Sequence, residues 1–387
     1  MIRRLFDGWS PQWLQGVSMD STSVDRSLNF SGEDSATATF SDNNSIQTTL
    51  SGGTAWFLIT GDNSSTSGGQ VNGVNFTGGQ FDAGGNDAPL VRTRSLTNPI
   101  VAPRKCEDFA GEIIQIDSST YRWVVGPSYL RPWTSTELGV RTRNSADQSD
   151  TQPNEEIIIP GTTIKDTGDG FRNDGAAADV AIGGWFEGAV GTAHVNINNG
   201  SAHILLSCRL ESTASGSHGI YLDSIHDTTI NASRILLIDG DDIRITGNAS
   251  KFNVADTVMF QNITEDSIHI EGTPGSGGHG VVPREETVDG TVTYPSGIWR
   301  NMYYNDGGRL IREGTDTINA GSSVQVTAFG GEDSPKTVTV GPVSDPGSDV
   351  DFSYSRGWDA SNGQETLSLS ETSGNLSITL DWQIVGY

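Results

Sequence analysis

Three polar residues, each about one repeat from the next, define the chemistry this sequence could do: His218, Asp241 and Asp266. Each stands two positions ahead of an isoleucine, at Ile220, Ile243 and Ile268, and Asp239, Asp242 and Glu265 crowd the same stretches. If the isoleucines stack, the three polar groups share one edge. Carboxylates about 5 Å apart suit a retaining glycosidase, and those about 6.5–9.5 Å apart an inverting one. Carboxylate oxygens are also what Ca²⁺ and Na⁺ prefer, which makes Asp239, Asp241 and Asp242 a candidate cation set. The competing reading is that these are hydrated turn residues of an acidic surface. No phosphate-binding loop, nucleophile elbow, zinc-helix motif or Cys/His metal spacing occurs, so chemistry that depends on an organic cofactor has no support.

The elements that would position this edge lie in 201–272. Written as three lines of 24 residues, the stretch aligns without gaps. Three short apolar alternations recur in each line. The first column is Ile204/Leu206, Thr228/Ile230 and Phe252/Val254. The second is Cys208/Leu210, Ile235/Leu237 and Val258/Phe260. The third is Ile220/Leu222, Ile243/Ile245 and Ile268/Ile270. Alternation at period two is a strand signal, and a fixed repeat of this length marks a stacked array. Three strands per repeat predict a coil of a right-handed parallel β-helix, whose equivalent residues form ladders about 4.7–4.9 Å apart. A β-sandwich with coincidental spacing is the rival, but its connections would vary more in length. The motifs GDD (240–242) and GHG (278–280) occur as in polygalacturonases. However, His279 lies far from Asp242 in repeat terms, and the other motifs of that family are missing.

Composition narrows the setting. The 387 residues are 34 % hydrophobic with 48 glycines, which suits a turn-rich all-β chain. The formal charge of −25 argues against nucleic-acid binding, which needs a basic footprint. Lysine occurs only at Lys105, Lys165, Lys251 and Lys336, and acidic residues spread along the whole chain. Concentrated salt screens the repulsion such a surface creates, so adaptation to high salt is expected. No apolar run approaches the length needed to span a membrane, and the first residues lack the apolar stretch of a signal peptide. Two cysteines, Cys106 and Cys208, make neither a disulfide framework nor a metal cluster; Cys208 alternates with Leu206 and Leu210 and is expected inside the coil.

Along the chain, 1–100 reads as an N-terminal attachment segment with Trp9 and Trp13, followed by an irregular β region that is either early coils or a separate fold. The stretch 101–155 reads as an insertion or junction, because a long structureless loop within a compact unit is improbable. The coil is expected over 156–272 and a Gly-rich neck over 273–312. Residues 313–387 alternate plainly and predict a small β-sandwich. Its loop SRGWDASNG places aromatic groups beside polar ones, so Tyr354, Trp358, Asp359 and Asn362 form a candidate glycan-binding set. The alternative is that Trp358 and Trp382 are core or subunit-contact residues, since large aromatics are mostly buried.

This layout, an aromatic N-terminal segment, a 24-residue coil, a neck and a sandwich tip, resembles the tail fibres and tailspikes of viruses. The acidic, lysine-poor composition resembles that of haloarchaeal viruses. The resemblance implies a homotrimer located on the virion, at a tail or vertex spike. It implies attachment to other virion proteins through the N-terminus, with Trp9 and Trp13 there, and binding of a host surface glycan or glycoprotein. It also leaves open a polysaccharide depolymerase, with His218, Asp241 and Asp266 catalytic, and a purely structural spike-base or decoration protein. No cofactor is implied beyond Ca²⁺ or Na⁺, and neither a membrane span nor a nucleic-acid partner.

Overall fold

The architecture follows from the ladders in a computed structural model. It describes residues 27–29, 37–47, 57–60, 71–72 and 75–86 and most of the chain from there to 386, leaving out 1–26, 144–153, 295–301, 331–335, 344–350 and 360–363 among other gaps. Every regular element among the described residues is a β-strand. Trp9, Trp13 and Asn362, and the side chains of Trp358 and Asp359, lie outside the description.

The chain is all-β: a parallel β-helix followed by an antiparallel β-sandwich. In one repeat, the long strand Ser201–Thr213 bends across two faces of the coil and His218–Asp223 forms the third. The third face is an eleven-stranded parallel sheet. Val195, Ile220, Ile243, Ile268 and Val292 stack along it. The first column holds as expected, with Leu206 on Ile230 and Ile230 on Val254. The second face differs from the expected register. Leu210 pairs with Ile235 and Ile235 with Phe260, so Leu237 falls past the strand, at φ 58°, and is 49 % exposed. The sequence ILLI at 235–238 offers two overlapping alternations, and only tertiary packing chooses between them.

The coil also begins earlier and ends later than expected. Ser27–Asn29 pairs in parallel with Phe57–Thr60, and Phe57–Thr60 with Val91–Arg94. Val91 stacks on Ile114, Ile114 on Val140 and Val140 on Phe171. The described strands within 101–155 therefore supply rungs of the same helix, and the described strands within 26–100 pair in parallel with them. At the other end, Val292 and Thr293 extend the third face and Gly280–Pro283 lies parallel to both Phe252–Asn253 and Met302–Asn305. The expected neck over 273–312 thus contributes coil strands. On the second face one inward ladder runs Phe81, Cys106, Leu130, Ile164, Phe186, Leu210, Ile235, Phe260. All eight are buried in one continuous apolar core. Cys106 and Cys208 are free and buried, and burial raises both thiols, Cys208 to about 12.

The sandwich grows from the last coil. Met302–Asp306 turns back antiparallel onto Arg309–Ile318, which pairs with Ile378–Gly386, which pairs with Lys336–Pro342. The facing sheet has Gln364–Glu371 between Ser323–Gly330 and Phe352–Asp359. Ile318, Leu367, Leu369, Leu380, Trp382 and Ile384 close the core between them. Trp382 is therefore a core residue, its indole N–H donating to Asp316 at 2.8 Å. Glu371 fastens the turns at one end: its carboxylate accepts the Gly321 amide at 2.5 Å and the Ser373 amide at 2.8 Å, which holds its pKa down at about 2.

One buried polar group gives the helix a pH response. His194 is fully buried with its ring against Phe186, and its Nε2–H donates to the Ser212 carbonyl oxygen at 3.0 Å. Burial holds its pKa down at about 4. The folded value lies below the unfolded value of 6.5, so unfolded chains bind more protons between the two. The contribution is present above about pH 6.5 and lost as pH falls toward 4, amounting to about 3 kcal/mol. Urea unfolding at about pH 7 and about pH 4.5 should show this loss in wild type and a smaller one in His194→Leu; equal acid sensitivity in the two would contradict it.

Candidate functional site

The column that precedes the third-face strands carries the site. The coil stacks Ala193 on His218, and the amide of Gly219 bonds the Asp241 carbonyl while that of Asp242 bonds the Asp266 carbonyl. His218, Asp241 and Asp266 therefore stand on three successive rungs, as their offset from the isoleucines predicts. His218 and Asp241 are buried and Asp266 is half-buried.

Asp241 is the hub. Its backbone N–H donates to His218 Nδ1 at 3.0 Å, which fixes that ring nitrogen as an acceptor. Burial, ahead of all other causes, lowers the His218 pKa. The Asp241 carboxylate lies 3.6 Å from His218, 3.4 Å from Arg244 and 3.6 Å from His269. His269 Nδ1 is also 3.0 Å from Asp266. Glu271 completes the set, 2.6 Å from Arg244 and 3.4 Å from His269, and its carboxyl is lowered first by the Arg244 hydrogen bond. The Thr291 hydroxyl donates to Asp266. Tyr221 stacks on His218 with ring centroids 6.0 Å apart. The result is an array of two histidines, one arginine and three carboxylates on the flank of the coil.

Arg244, His269, Glu271 and Tyr221 are neighbours that the offset from the isoleucines does not single out. A signal for three of them exists. Tyr221, Arg244 and His269 are the middle residues of I-Y-L, I-R-I and I-H-I and stack as one outward column. The neighbours expected to hold a cation do not converge. Asp239 accepts the Gly216 amide at 2.8 Å and faces a turn. Asp242 is fully buried, and burial, with the negative charges of Asp241 and Asp289, pushes its carboxyl up to about 8. One ligand atom from each of Asp241, Asp266 and His269 lies within 4.8 Å of the others, a spacing that could hold a metal ion. Arg244 beside Asp241 opposes a cation there.

The same column contains a control. Asp169 occupies the equivalent position two rungs before His218, since Gly139 bonds the Asp169 carbonyl and Phe171 stacks on Val195. Its carboxylate accepts the amides of Thr192 at 2.7 Å and Ala193 at 3.0 Å and the Asn196 side chain at 2.8 Å. Asp169 is thus spent on the backbone of the next coil. Asp241 has one such bond, a long one of 3.4 Å from the Asp266 amide, and offers the rest of its carboxylate to side chains.

At the tip, Tyr354 stands on the strand Phe352–Asp359, which among the described residues pairs on one side only, and is 48 % exposed. Trp358 and Asp359 are placed by backbone on the same strand.

No protein-family model matches the sequence, and no curated protein matches it. Among solved structures, a mutant tailspike protein of the E. coli bacteriophage HK620 overlaps 96 % of this chain and 86 % of its own, with 10 % identity and a TM-score of 0.31. A second mutant of the same tailspike, in complex with a pentasaccharide, gives 10 % identity, a TM-score of 0.31 and coverage of 96 % and 85 %.

Proposed function

We propose that the chain is a spike or fibre protein of a virus particle that attaches to a glycan or glycoprotein of the host surface in concentrated salt. The observation that carries this reading is mechanical. The last coil passes through Met302–Asp306 into the sandwich by unbroken strand pairing, so shaft and tip share one hydrogen-bonded sheet. Such a rod sets a binding surface at a fixed distance from whatever holds its other end. Exposed Tyr354 on a one-sided strand supplies an aromatic face of the kind that stacks on sugar rings. The receptor set is Tyr354, Trp358, Asp359 and Asn362, and the N-terminal segment with Trp9 and Trp13 is the side that joins the virion.

Assembly as a homotrimer accords with the outward side of the coil. Ile100, Val124 and Ile158 stack there, and Ile100 and Ile158 are 38 % and 42 % exposed on a chain of net charge −25. An uncharged strip is where acidic copies meet with least repulsion.

The second reading, a polysaccharide depolymerase, is favoured by the oxygens of Asp241 and Asp266, which lie within 4.8 Å of each other around His269. In that case Asp241 and Asp266 are the carboxylate pair and His218 and His269 set their protonation. One experiment separates the two. Purified protein is bound to host cells in multimolar salt, with reducing sugar measured in the supernatant. Attachment predicts binding without sugar release, and binding about tenfold weaker for Tyr354→Ala, roughly the worth of one aromatic contact. Unchanged binding by Tyr354→Ala removes the tip from the reading. Sugar release that Asp241→Asn abolishes replaces attachment by cleavage.

A further inference from the structure

The three faces of the coil differ in what they show to solvent. On the second face the outward positions carry Lys105, Arg209 and Arg234 beside Glu107, Glu187 and Glu211. On the third they carry Arg92, Arg141, Arg172 and Arg244 beside Asp174 and Glu271. On the first face, whose inward column is Leu206, Ile230 and Val254, charge is missing. The outward column there runs from Ile100 through Val124, Ile158, Ala181, Thr229 and Asn253 to Val281, and no position in it is charged. The outward column beside it, Gly183, Ser207, Asn231 and Ala255, is uncharged too. From Ile100 to Asn253 the strip is about 29 Å long at a rung spacing of about 4.8 Å. Charge returns just outside it, at Glu156 and Asp227, two residues before Ile158 and Thr229. An uncharged centre with a charged rim is the anatomy of a protein interface.

The far end of the strip is already covered. Val281 packs against the core of the sandwich. The register from Val281 to Tyr303, and through Arg309–Ile318 to Ile384, keeps to one side of the layer, and Ile384 lies in the sandwich interior. The outward side of the first face thus becomes the inner side of the sandwich, and the sheet containing Gln364–Glu371 lies over it. Along the shaft, among the described residues, Ile100 and Ile158 on the same side stay 38 % and 42 % exposed.

The charge pattern selects the occupant. A basic partner would gain from carboxylates on this strip. Freedom from charge matters most against a partner as acidic as the chain itself, because like charges brought together across an interface are costly. A parallel copy is such a partner, and its ladder has the same length and the same rung spacing.

We propose that copies of this chain associate side by side through the outward side of the first face, parallel and rung against rung. This rests on the assembled spike proposed above and names the surface that holds it. Each coil runs from the first face to the second, turns the corner that carries the flank array, and forms the third. The array therefore stands at the corner opposite the interface and stays open on every copy.

The test is the mass of the full chain by light scattering in multimolar potassium chloride, where charge repulsion is screened. Wild type should be an oligomer. The double variant Ile158→Glu/Ala181→Glu should fall to the mass of a single chain, with an unchanged far-ultraviolet spectrum because both side chains point outward. Met259→Glu, equally exposed but on the second face, should keep the wild-type mass. Register is read by mild oxidation of a mixture of Ile158→Cys and Asn253→Cys chains: links should join like positions only. A monomeric wild type overturns the proposal, as does an oligomer that the two glutamates leave intact or that Met259→Glu disrupts. Links between unlike positions, or no links, overturn the parallel register. Failure to attach to cells by a chain that assembles this way counts against the attachment reading alone.

Discussion

Replacing Asp169 by alanine should lower the unfolding free energy by about 4 kcal/mol, seen as a fall in the urea midpoint without a change in slope. The carboxylate is 2 % exposed and takes three good hydrogen bonds, two of them from main-chain amides of the next coil. Bonds to a charged acceptor are worth about 1.5–3 kcal/mol each, and their removal orphans donors that water does not reach. Ala193 is itself fully buried, so its amide has no ready substitute. Asp169→Asn keeps a carbonyl acceptor of similar shape and should recover about half of the loss. Asp241→Ala, at the equivalent place three rungs later, should cost less, about 1–2 kcal/mol, since its amide bond is long and its other partners reach solvent. Equal losses at the two positions would refute the division of this column into a structural acid and an available one.

That division bears on how much the sequence could reveal. The third face is legible because Ile220/Leu222, Ile243/Ile245 and Ile268/Ile270 alternate cleanly and recur at nearly constant spacing. The same regularity places His218, Asp241 and Asp266 in one column from their spacing alone. The column's earlier member is hidden because Asp169 is followed by Gly170 and Phe171, with no isoleucine pair to align it. Early coils are hidden for a related reason. Thr93, Thr142 and Asn173 occupy inward rungs that later coils fill with Ile197, Leu222 and Ile245. A buried hydrogen bond of 2.8 Å between Thr142 and Asn173 satisfies two of them, so a polar letter stands where the pattern demands an apolar one. The sequence spacings from Phe57 to Val91 and from Val140 to Phe171 are also longer than those of the later coils, which breaks the repeat without breaking the ladder.

Phe186→Ala should destabilise the helix by about 3–5 kcal/mol, the range for losing a fully buried phenylalanine. Phe186 lies between Ile164 and Leu210 in the inward ladder of the second face and its ring meets His194 across the corner. Its size is matched to an absence. A Cβ at Gly170 would overlap the Phe186 ring and come within 2.8 Å of the His194 carbonyl oxygen. Gly170→Ala alone should therefore cost about 1–3 kcal/mol through overpacking. The two losses should not add. With the ring gone, the new methyl enters the vacated space, and the double variant should be more stable than the sum of the singles by about 1 kcal/mol. Compensation should stop short of complete, because the His194 carbonyl remains in the way of the methyl. Urea unfolding of the wild type, the two singles and the double checks this, and strict additivity would mean that the ring and the glycine do not share the space the packing assigns them. The cycle also reaches the flank array. Gly170 and His194 belong to the inward column that continues through Gly219 to Asp242 and Ser267. The width of that corner is set by which rungs carry a side chain: a ring fills it beside Gly170, and at Asp242 it is left to polar oxygens.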